Sequence, residues 1–252
     1  NREKLEKMTQ QMQELYEKYP HYEYIPYYIG KLLYAKGNEE EALNNLLSFA
    51  REHAGKFWVW TLLGDLHKAD KETQLACYCR GLLCKEPDDK IVKLRLKLAR
   101  ILVDKKWYKE ASYEISKIYQ TRKNEGWKIP NQIKNWMNQE WYASADLPKN
   151  NIGLYKQHAP KANAILAKDL DSMIGVVTNV KKDRKVLGFI VNKDISGGFN
   201  YDKMMNTPKP GDKLEMWYEP RTNKDGESFR KIFHAELTDK EPETDLVKDL
   251  QG

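Results

Sequence analysis

Apolar residues recur at the spacing of an α-helix through most of the first 169 positions. The first such stripe ends at Pro20 and consists of Leu5, Met8, Met12 and Leu15. From Met173 the apolar residues form short runs separated by polar turns, as strands do. We therefore predict an α + β multidomain protein. A helical domain over residues 1–169 precedes a small five-stranded barrel over 170–238, and an acidic flexible tail covers 239–252.

Small residues in the helical part recur 34 positions apart. Gly30 and Ala42 return as Gly64 and Ala76, and a small side chain at such a position lets two helices cross closely. The run Trp60-x-x-Leu63-Gly64-x-x-His67 with Ala76 beyond it resembles the tetratricopeptide repeat. The resemblance covers about residues 22–120. It implies an α-solenoid of three helical hairpins.

The strict repeat fades after Tyr119, and the following segments are predicted to cap the array. Ile129-Pro130 opens one helix. Asn151 is expected to cap a last helical stretch that bends at Pro160. A repeat array must cover its terminal apolar face, and these helices would do so.

The strand region resembles a cold-shock-type oligonucleotide-binding barrel. The matching elements include Met173 to Val177, Gly188-Phe189-Ile190, Phe199-Asn200-Tyr201 and Gly211 to Leu214. In that family, aromatic rings on adjacent strands stack on bases while basic loops hold phosphates. The resemblance implies stacking by Phe189, Phe199 and Tyr201 and phosphate contacts by Lys181, Lys182, Arg184 and Lys185. Asn179 and Val180 stand where the family has aromatics, and the alternative interpretation makes the phenylalanines packing residues.

The tetratricopeptide resemblance also implies a groove that binds a protein or peptide. The residues it places there are Tyr24, Tyr27, Lys31, Tyr34, Trp58, Lys93, Lys97 and Arg100. Tyrosine, tryptophan and arginine are the side chains that dominate binding energies at protein interfaces. The alternative for the basic members is an ordinary solvated helix face.

The positive charge is regional. The whole chain carries +6, whereas residues 90–161 hold 16 basic and 6 acidic residues, net +10. The predicted barrel, 170–238, holds 12 basic and 10 acidic residues, net +2. A regional excess of this kind fits an anionic partner, and the helical domain would hold much of it.

Several classes of protein are disfavoured. The motifs of serine hydrolases, phosphate-binding loops and zinc proteases are absent from the sequence, so an enzyme is not expected. Cys77, Cys79 and Cys84 lack a fourth ligand for zinc and are expected to be buried thiols. No cofactor, metal or membrane association is predicted. The odd cysteine count favours a reducing cytoplasm.

The leading hypothesis is a non-enzymatic adaptor. Its barrel and basic region 90–161 would bind single-stranded nucleic acid, RNA in preference to DNA, and its repeat groove a protein segment. The first alternative is a protein-interaction scaffold whose barrel no longer binds nucleic acid. The second is a regulatory fragment of a longer enzyme. The partner's identity and the oligomeric state stay open.

Overall fold

The computed structural model describes residues 2–202 and 204–242. A helical N-terminal region is followed by a five-stranded antiparallel, barrel-like sheet, as predicted at this level. The chain divides into two compact units, with the second beginning at Asn163. The finer prediction of a tetratricopeptide solenoid, and the predicted boundary at 169/170, stay predictions. In the described ranges, no helix has the length and apolar character needed to span a bilayer.

The first unit, called the helical domain below, consists of ten helices and a terminal 3-10 turn in its described part. Consecutive helices from α1 to α7 pack against one another. The bounds are α1 Arg2–Lys18, α2 Ile25–Lys36, α3 Glu39–Glu52, α4 Phe57–Leu66, α5 Lys71–Leu82, α6 Asp88–Asp104, α7 Tyr108–Asn124, α8 Asn131–Met137, α9 Glu140–Ala143, α10 Ile152–His158 and the turn Ala159–Ala162.

Glycines mark the close approaches between paired helices. A Cβ atom added to Gly30 would lie 2.4 Å from Cγ of Leu46, across the α2–α3 contact. A Cβ atom on Gly64 would lie 2.4 Å from Cε1 of Tyr78, across the α4–α5 contact. Both distances are shorter than real Cβ contacts. The small residues that recur in the sequence therefore stand where helices cross, as the spacing predicts.

A buried polar cluster ties residues 151–155 back to the centre of the helical domain. The fully buried Glu114 carboxylate accepts hydrogen bonds from Arg95 Nη1 at 2.8 Å and Asn151 Nδ2 at 2.6 Å. It also accepts one from the Tyr155 hydroxyl. Arg95 reaches Asp88 as well, at 2.9 Å. Among the described residues, Nε of Arg95 is the one buried atom of this cluster without a hydrogen-bond partner. The carboxylate, the amide and the hydroxyl are paired, as their desolvation requires.

The expected capping role of Asn151 is wrong. Its side chain makes no capping bond to α10, because its amide is directed to Glu114 and to the carbonyl oxygen of Glu110. The Asn150 side chain accepts the Ile152 N–H instead, at 3.0 Å. The expected bend at Pro160 is present as the 3-10 turn Ala159–Ala162.

The second unit, called the β-domain below, contains α11 (Asn163–Ala167) and five strands. The strands are β1 Ser172–Lys181, β2 Val186–Ile190, β3 Ser196–Asn200, β4 Lys213–Thr222 and β5 Ser228–Leu237. Their order is β3-β2-β1-β4-β5, and every neighbouring pair is antiparallel. The pairing is irregular at Val177/Asn179 in β1 and at Trp217/Tyr218 in β4. Such irregularities bend a strand and help a sheet to curl towards closure.

Alternate residues of the strands face a single apolar core. Its buried members are Val177, Leu187, Phe189, Tyr201, Leu214, Met216 and Ala235. The start of the predicted acidic tail is held on β4, because Lys240 pairs with Glu215 at 2.6 Å and Glu241 with Lys213 at 2.5 Å. The rest of the predicted tail, from residue 243, lies outside the described residues.

Candidate nucleic-acid interface

The turn between β1 and β2 carries four exposed cations. Lys181 ends β1, and Lys182, Arg184 and Lys185 follow it in the turn. Lys185 has a left-handed backbone (φ 57°), and its carbonyl oxygen accepts the Tyr201 N–H at 2.9 Å. The turn is therefore fixed to the residue that follows β3. The predicted phosphate-binding cations are brought together on one exposed loop.

The β4–β5 hairpin carries cations beside aromatic rings, a feature that the sequence interpretation missed. The Arg230 guanidinium lies 5.5 Å from the Tyr218 ring centre, and Lys231 Nζ lies 5.0 Å from that of Phe233. Phe229 is 45% exposed. The signal available was the alternation of aromatic and basic residues on both sides of Asn223-Lys224-Asp225-Gly226.

The hairpin tip is ordered by one side chain. The Asn223 side-chain oxygen accepts the N–H groups of Asp225 and Glu227, both at 2.9 Å. Gly226 takes the left-handed conformation (φ 84°) that closes the turn. The exposed ring of Phe229 and the neighbouring cations thus belong to a hairpin with a defined tip. A base can stack on such a ring while the cations neutralise phosphate.

Next to the turn of residues 181–185, called the basic turn below, the outward face of β1–β2–β3 has small residues. Gly188 lies opposite Asn179 on β1 and opposite Gly198 on β3. A Cβ atom on Gly198 would lie 2.8 Å from the Leu187 carbonyl oxygen. This part of the sheet therefore offers backbone and a short amide side chain to a ligand.

Two of the three rings expected to stack on bases are in the core, and the expectation is corrected for them. Phe189 is 5% exposed and Tyr201 2% exposed. Phe189 lies opposite Gly197, and a Cβ atom there would lie 3.1 Å from its Cζ atom. Phe199 is half-buried, with its ring centre 6.0 Å from that of Phe189. The cause is strand register: the pairs Val177–Phe189 and Leu187–Phe199 turn these side chains inwards.

The residues predicted to form a protein groove divide into an aromatic cluster and a charged part. Tyr24, Tyr27 and Trp58 lie together with Phe49 and His53, and the Tyr27 and Trp58 ring centres are 4.7 Å apart. Tyr24 is 48% exposed. Lys31 Nζ lies 5.4 Å from the Tyr27 ring centre.

The charged part is largely paired. Lys97 bonds Asp65 at 2.7 Å, and Asp65 also accepts the Tyr78 hydroxyl at 2.7 Å. Arg100 bonds Gln132 at 2.9 Å, and Tyr34 lies beneath Lys68, 5.8 Å from its Nζ. Lys93 is exposed. A cavity of about 260 Å³ is lined by Tyr34, Asp65, Lys97 and Arg100 among others.

A cleft of the β-domain lies beside α11. Its volume is about 500 Å³, and Trp217, His234 and Glu236 contribute to its lining. The His234 and Trp217 ring centres are 5.1 Å apart, and Nε2 of His234 lies 3.6 Å from the Glu236 carboxylate. Burial lowers the pKa of His234, and Glu236 partly opposes that effect.

The three cysteines are free and buried. Burial raises the pKa of Cys77 and Cys79, so these thiols stay protonated and unreactive at neutral pH. Across the described ranges, histidine, cysteine and acidic side chains nowhere gather in a group that could hold a metal ion.

Two family models match the chain. The model described as S1/CSD-like domain 1 of the TOTE conflict systems matches residues 167–231, and the five-stranded barrel-like sheet fits an oligonucleotide-binding type of domain. The model described as Domain of unknown function (DUF7017) matches residues 23–162. No curated protein and no solved structure matches the chain. Since the second of these models covers more than half of the residues and lies within the helical domain, the chain belongs to the DUF7017 family.

Proposed function

We propose that this protein is a non-enzymatic binder of single-stranded nucleic acid, and that the β-domain makes the primary contact. The single observation that carries the proposal is the exposed basic turn Lys181–Lys185 in a domain similar to the S1/CSD-like model. Four cations on a turn that is fixed at both ends suit the phosphates of a flexible strand.

The β4–β5 hairpin supplies the stacking that the core phenylalanines do not. Loops at these two positions, after the first strand and between the last two strands, are ligand-binding elements of oligonucleotide-binding barrels. The Phe229 ring is the exposed platform, and Arg230 and Lys231 are its nearest cations in sequence. The smooth outward strip at Gly188 and Gly198 lets the strand approach the sheet backbone.

The proposal is tested by fluorescence anisotropy with a labelled oligouridylate and an oligothymidylate of the same length. Wild-type binding should weaken steeply with salt. Lys182→Ala combined with Arg184→Ala should lower the slope of log affinity against log salt by about 1.4, or about 0.7 for each lost phosphate contact. Lys193→Ala with Lys209→Ala, two exposed lysines elsewhere in the β-domain, is the matched control.

A further variant separates the contribution of base stacking to the affinity from that of charge. Phe229→Ala should weaken binding at least about fivefold, since a stacked base contributes about 1–3 kcal/mol. If the wild-type protein shows no binding at about 50 mM salt, where phosphate contacts are strong, the proposed function is wrong. It is equally wrong if the control pair and the turn pair have the same effect.

A second candidate function is capture of a protein segment on the helical domain. The observation in its favour is the partly exposed cluster Tyr24, Tyr27 and Trp58 beside Lys31. An adaptor could have both functions. A protein that only captures a protein segment would be a scaffold. Pull-down with and without nuclease distinguishes them, because a directly bound protein survives nuclease treatment. The buried free thiols support a cytoplasmic location within the same proposal.

A further inference from the structure

One tryptophan of the helical domain is exposed at the end of α7. All seven tryptophans fall in the described ranges, and Trp127 is the one that is exposed, at 43%. The others are buried or half-buried. A single exposed apolar ring is common on protein surfaces, so the groups around Trp127 decide what it can bind.

Trp127 is held by a defined helix-ending motif. Its N–H bonds the Arg122 carbonyl oxygen at 2.8 Å, and the Gly126 N–H bonds that of Lys123 at 3.3 Å. Gly126 takes the left-handed conformation, with φ 66°. These are the two hydrogen bonds and the glycine of a Schellman motif. The backbone that presents the ring is therefore ordered before any ligand arrives.

Arg122 supports the ring from one side. Its guanidinium carbon lies 6.0 Å from the Trp127 ring centre, and its Nη1 donates to the Lys128 carbonyl oxygen at 2.9 Å. The second bond closes residues 122–128 into one unit, called the Trp127 loop below. The arginine is thereby fixed as a cation next to the ring.

The Trp127 loop is positively charged. It contains Arg122, Lys123 and Lys128 against a single acid, Glu125. Lys123 and Lys128 are exposed, and within the described part of the chain neither forms an ion pair. By contrast, Lys97 is already neutralised by Asp65. The loop lies inside the segment 90–161 that carries net +10.

We propose that the Trp127 loop is a second site for single-stranded nucleic acid, at which a base stacks on Trp127 and flanking phosphates contact Lys123 and Lys128. The inference rests on the proposed function and assigns part of it to the helical domain. An aromatic ring flanked by unpaired cations matches the alternation of base and phosphate along a strand. A protein partner would instead bury a larger apolar patch around the ring.

The test uses the full chain and a fluorescein-labelled oligouridylate of about 16 nucleotides, the upper end of the site size of one barrel. Trp127→Ala should weaken binding at least about fivefold, as loss of one stacked base does. Trp127→Tyr keeps an aromatic face and should restore most of the affinity. Leu147→Ala removes another exposed apolar side chain of the helical domain (50% exposed) and should have no effect.

A measurement on the unaltered protein accompanies the variants. Photo-crosslinking of a 4-thiouridine-substituted probe, followed by mass spectrometry, should identify the peptide that contains residues 122–128. Its absence among the crosslinked peptides, while β-domain peptides are found, overturns the second site.

The outcomes separate the two proposals. If Trp127→Ala binds like wild type while Lys182→Ala with Arg184→Ala is weakened, the second site is wrong and the β-domain proposal stands. If Trp127→Tyr is as weak as Trp127→Ala, or Leu147→Ala is weakened equally, stacking on Trp127 is wrong. If the wild-type protein binds neither RNA nor DNA but captures a protein through Trp127, both proposals fail.

Discussion

The Arg95 guanidinium and the Glu114 carboxylate form an ion pair of 2.8 Å inside the helical domain, with Glu114 fully buried. Burial disfavours the charge on Arg95, but Glu114 and its neighbours outweigh that effect and raise the pKa of the guanidinium. Burial and the same carboxylate raise the pKa of Tyr155, so its hydroxyl stays a donor. The pair is thus completed by groups from a segment far along the chain.

Glu114→Gln should destabilise the helical domain by about 3–5 kcal/mol. The substitution removes one charge of a buried pair and leaves Arg95 without its principal compensation. Urea unfolding followed by far-UV circular dichroism measures the change. Lys97→Met, which breaks the partly exposed pair with Asp65, should cost about 1 kcal/mol or less. Equal costs for the two variants would contradict the assigned role of Glu114.

Gly64→Ala should also destabilise the helical domain. The new Cβ atom would lie 2.4 Å from the Tyr78 ring, and that ring is fixed because its hydroxyl bonds both Asp65 and Gln74. Overpacking of this kind costs about 1–3 kcal/mol, which exceeds the gain of up to about 1 kcal/mol in helix propensity.

Gly153→Ala is the matched control for that substitution. Gly153 lies in α10 with open space around its missing Cβ atom, so alanine should stabilise the helix by about 0.5 kcal/mol. The two variants are predicted to shift the urea midpoint in opposite directions. A shift in the same direction would mean that the α4–α5 approach is looser than described.

His234 should titrate below its ordinary pKa of about 6.5, because burial disfavours the imidazolium. Glu236 opposes this effect, so Glu236→Gln should lower the pKa further. At pH values between the folded and the unfolded pKa of His234, the unfolded chain therefore binds more protons than the folded β-domain. Stability contributed by His234 is therefore full above about pH 6.5 and is lost as pH falls through the folded pKa.

Proton titration by NMR checks this prediction, with His234→Gln identifying the resonance. The variant should also lose the corresponding part of the pH dependence of β-domain unfolding. An imidazole that titrates above 6.5 would contradict the burial described for this side chain.

The helix crossings and the strands could be predicted from the sequence, because local periodicity determines them. The spacing of Gly30 and Gly64 identified two helix crossings, and alternation with turn residues located the strands. It placed Phe189 wrongly, because which face a strand residue takes depends on register, and β1 changes register between Val177 and Asn179. A one-residue shift exchanges the two faces of a strand.

Hydrogen-bond partners that lie far apart in the chain could not be predicted from local sequence patterns. Asn151 precedes a helix and has the residue type of a cap, yet its partner Glu114 is 37 positions away. Likewise, no local pattern in the sequence pairs Arg95 with Glu114, which is 19 positions away. The packing of α6 against α7, together with that of α10 against α5, brings these side chains into one buried cluster. Exposure likewise had to come from the structure, which distinguishes Trp127 from six other tryptophans.

Residues 151–162 pack against α5. This contact determines when, during synthesis, the helical domain can complete its folding. An array of hairpins can form progressively behind a ribosome, because every contact is with the preceding unit. Here the buried carboxylate of Glu114 accepts hydrogen bonds from Asn151 and Tyr155, which are synthesised 37 and 41 residues later. A nascent chain that ends before them holds an incompletely paired buried carboxylate. The interior of the domain is therefore completed by the last part of it to be synthesised.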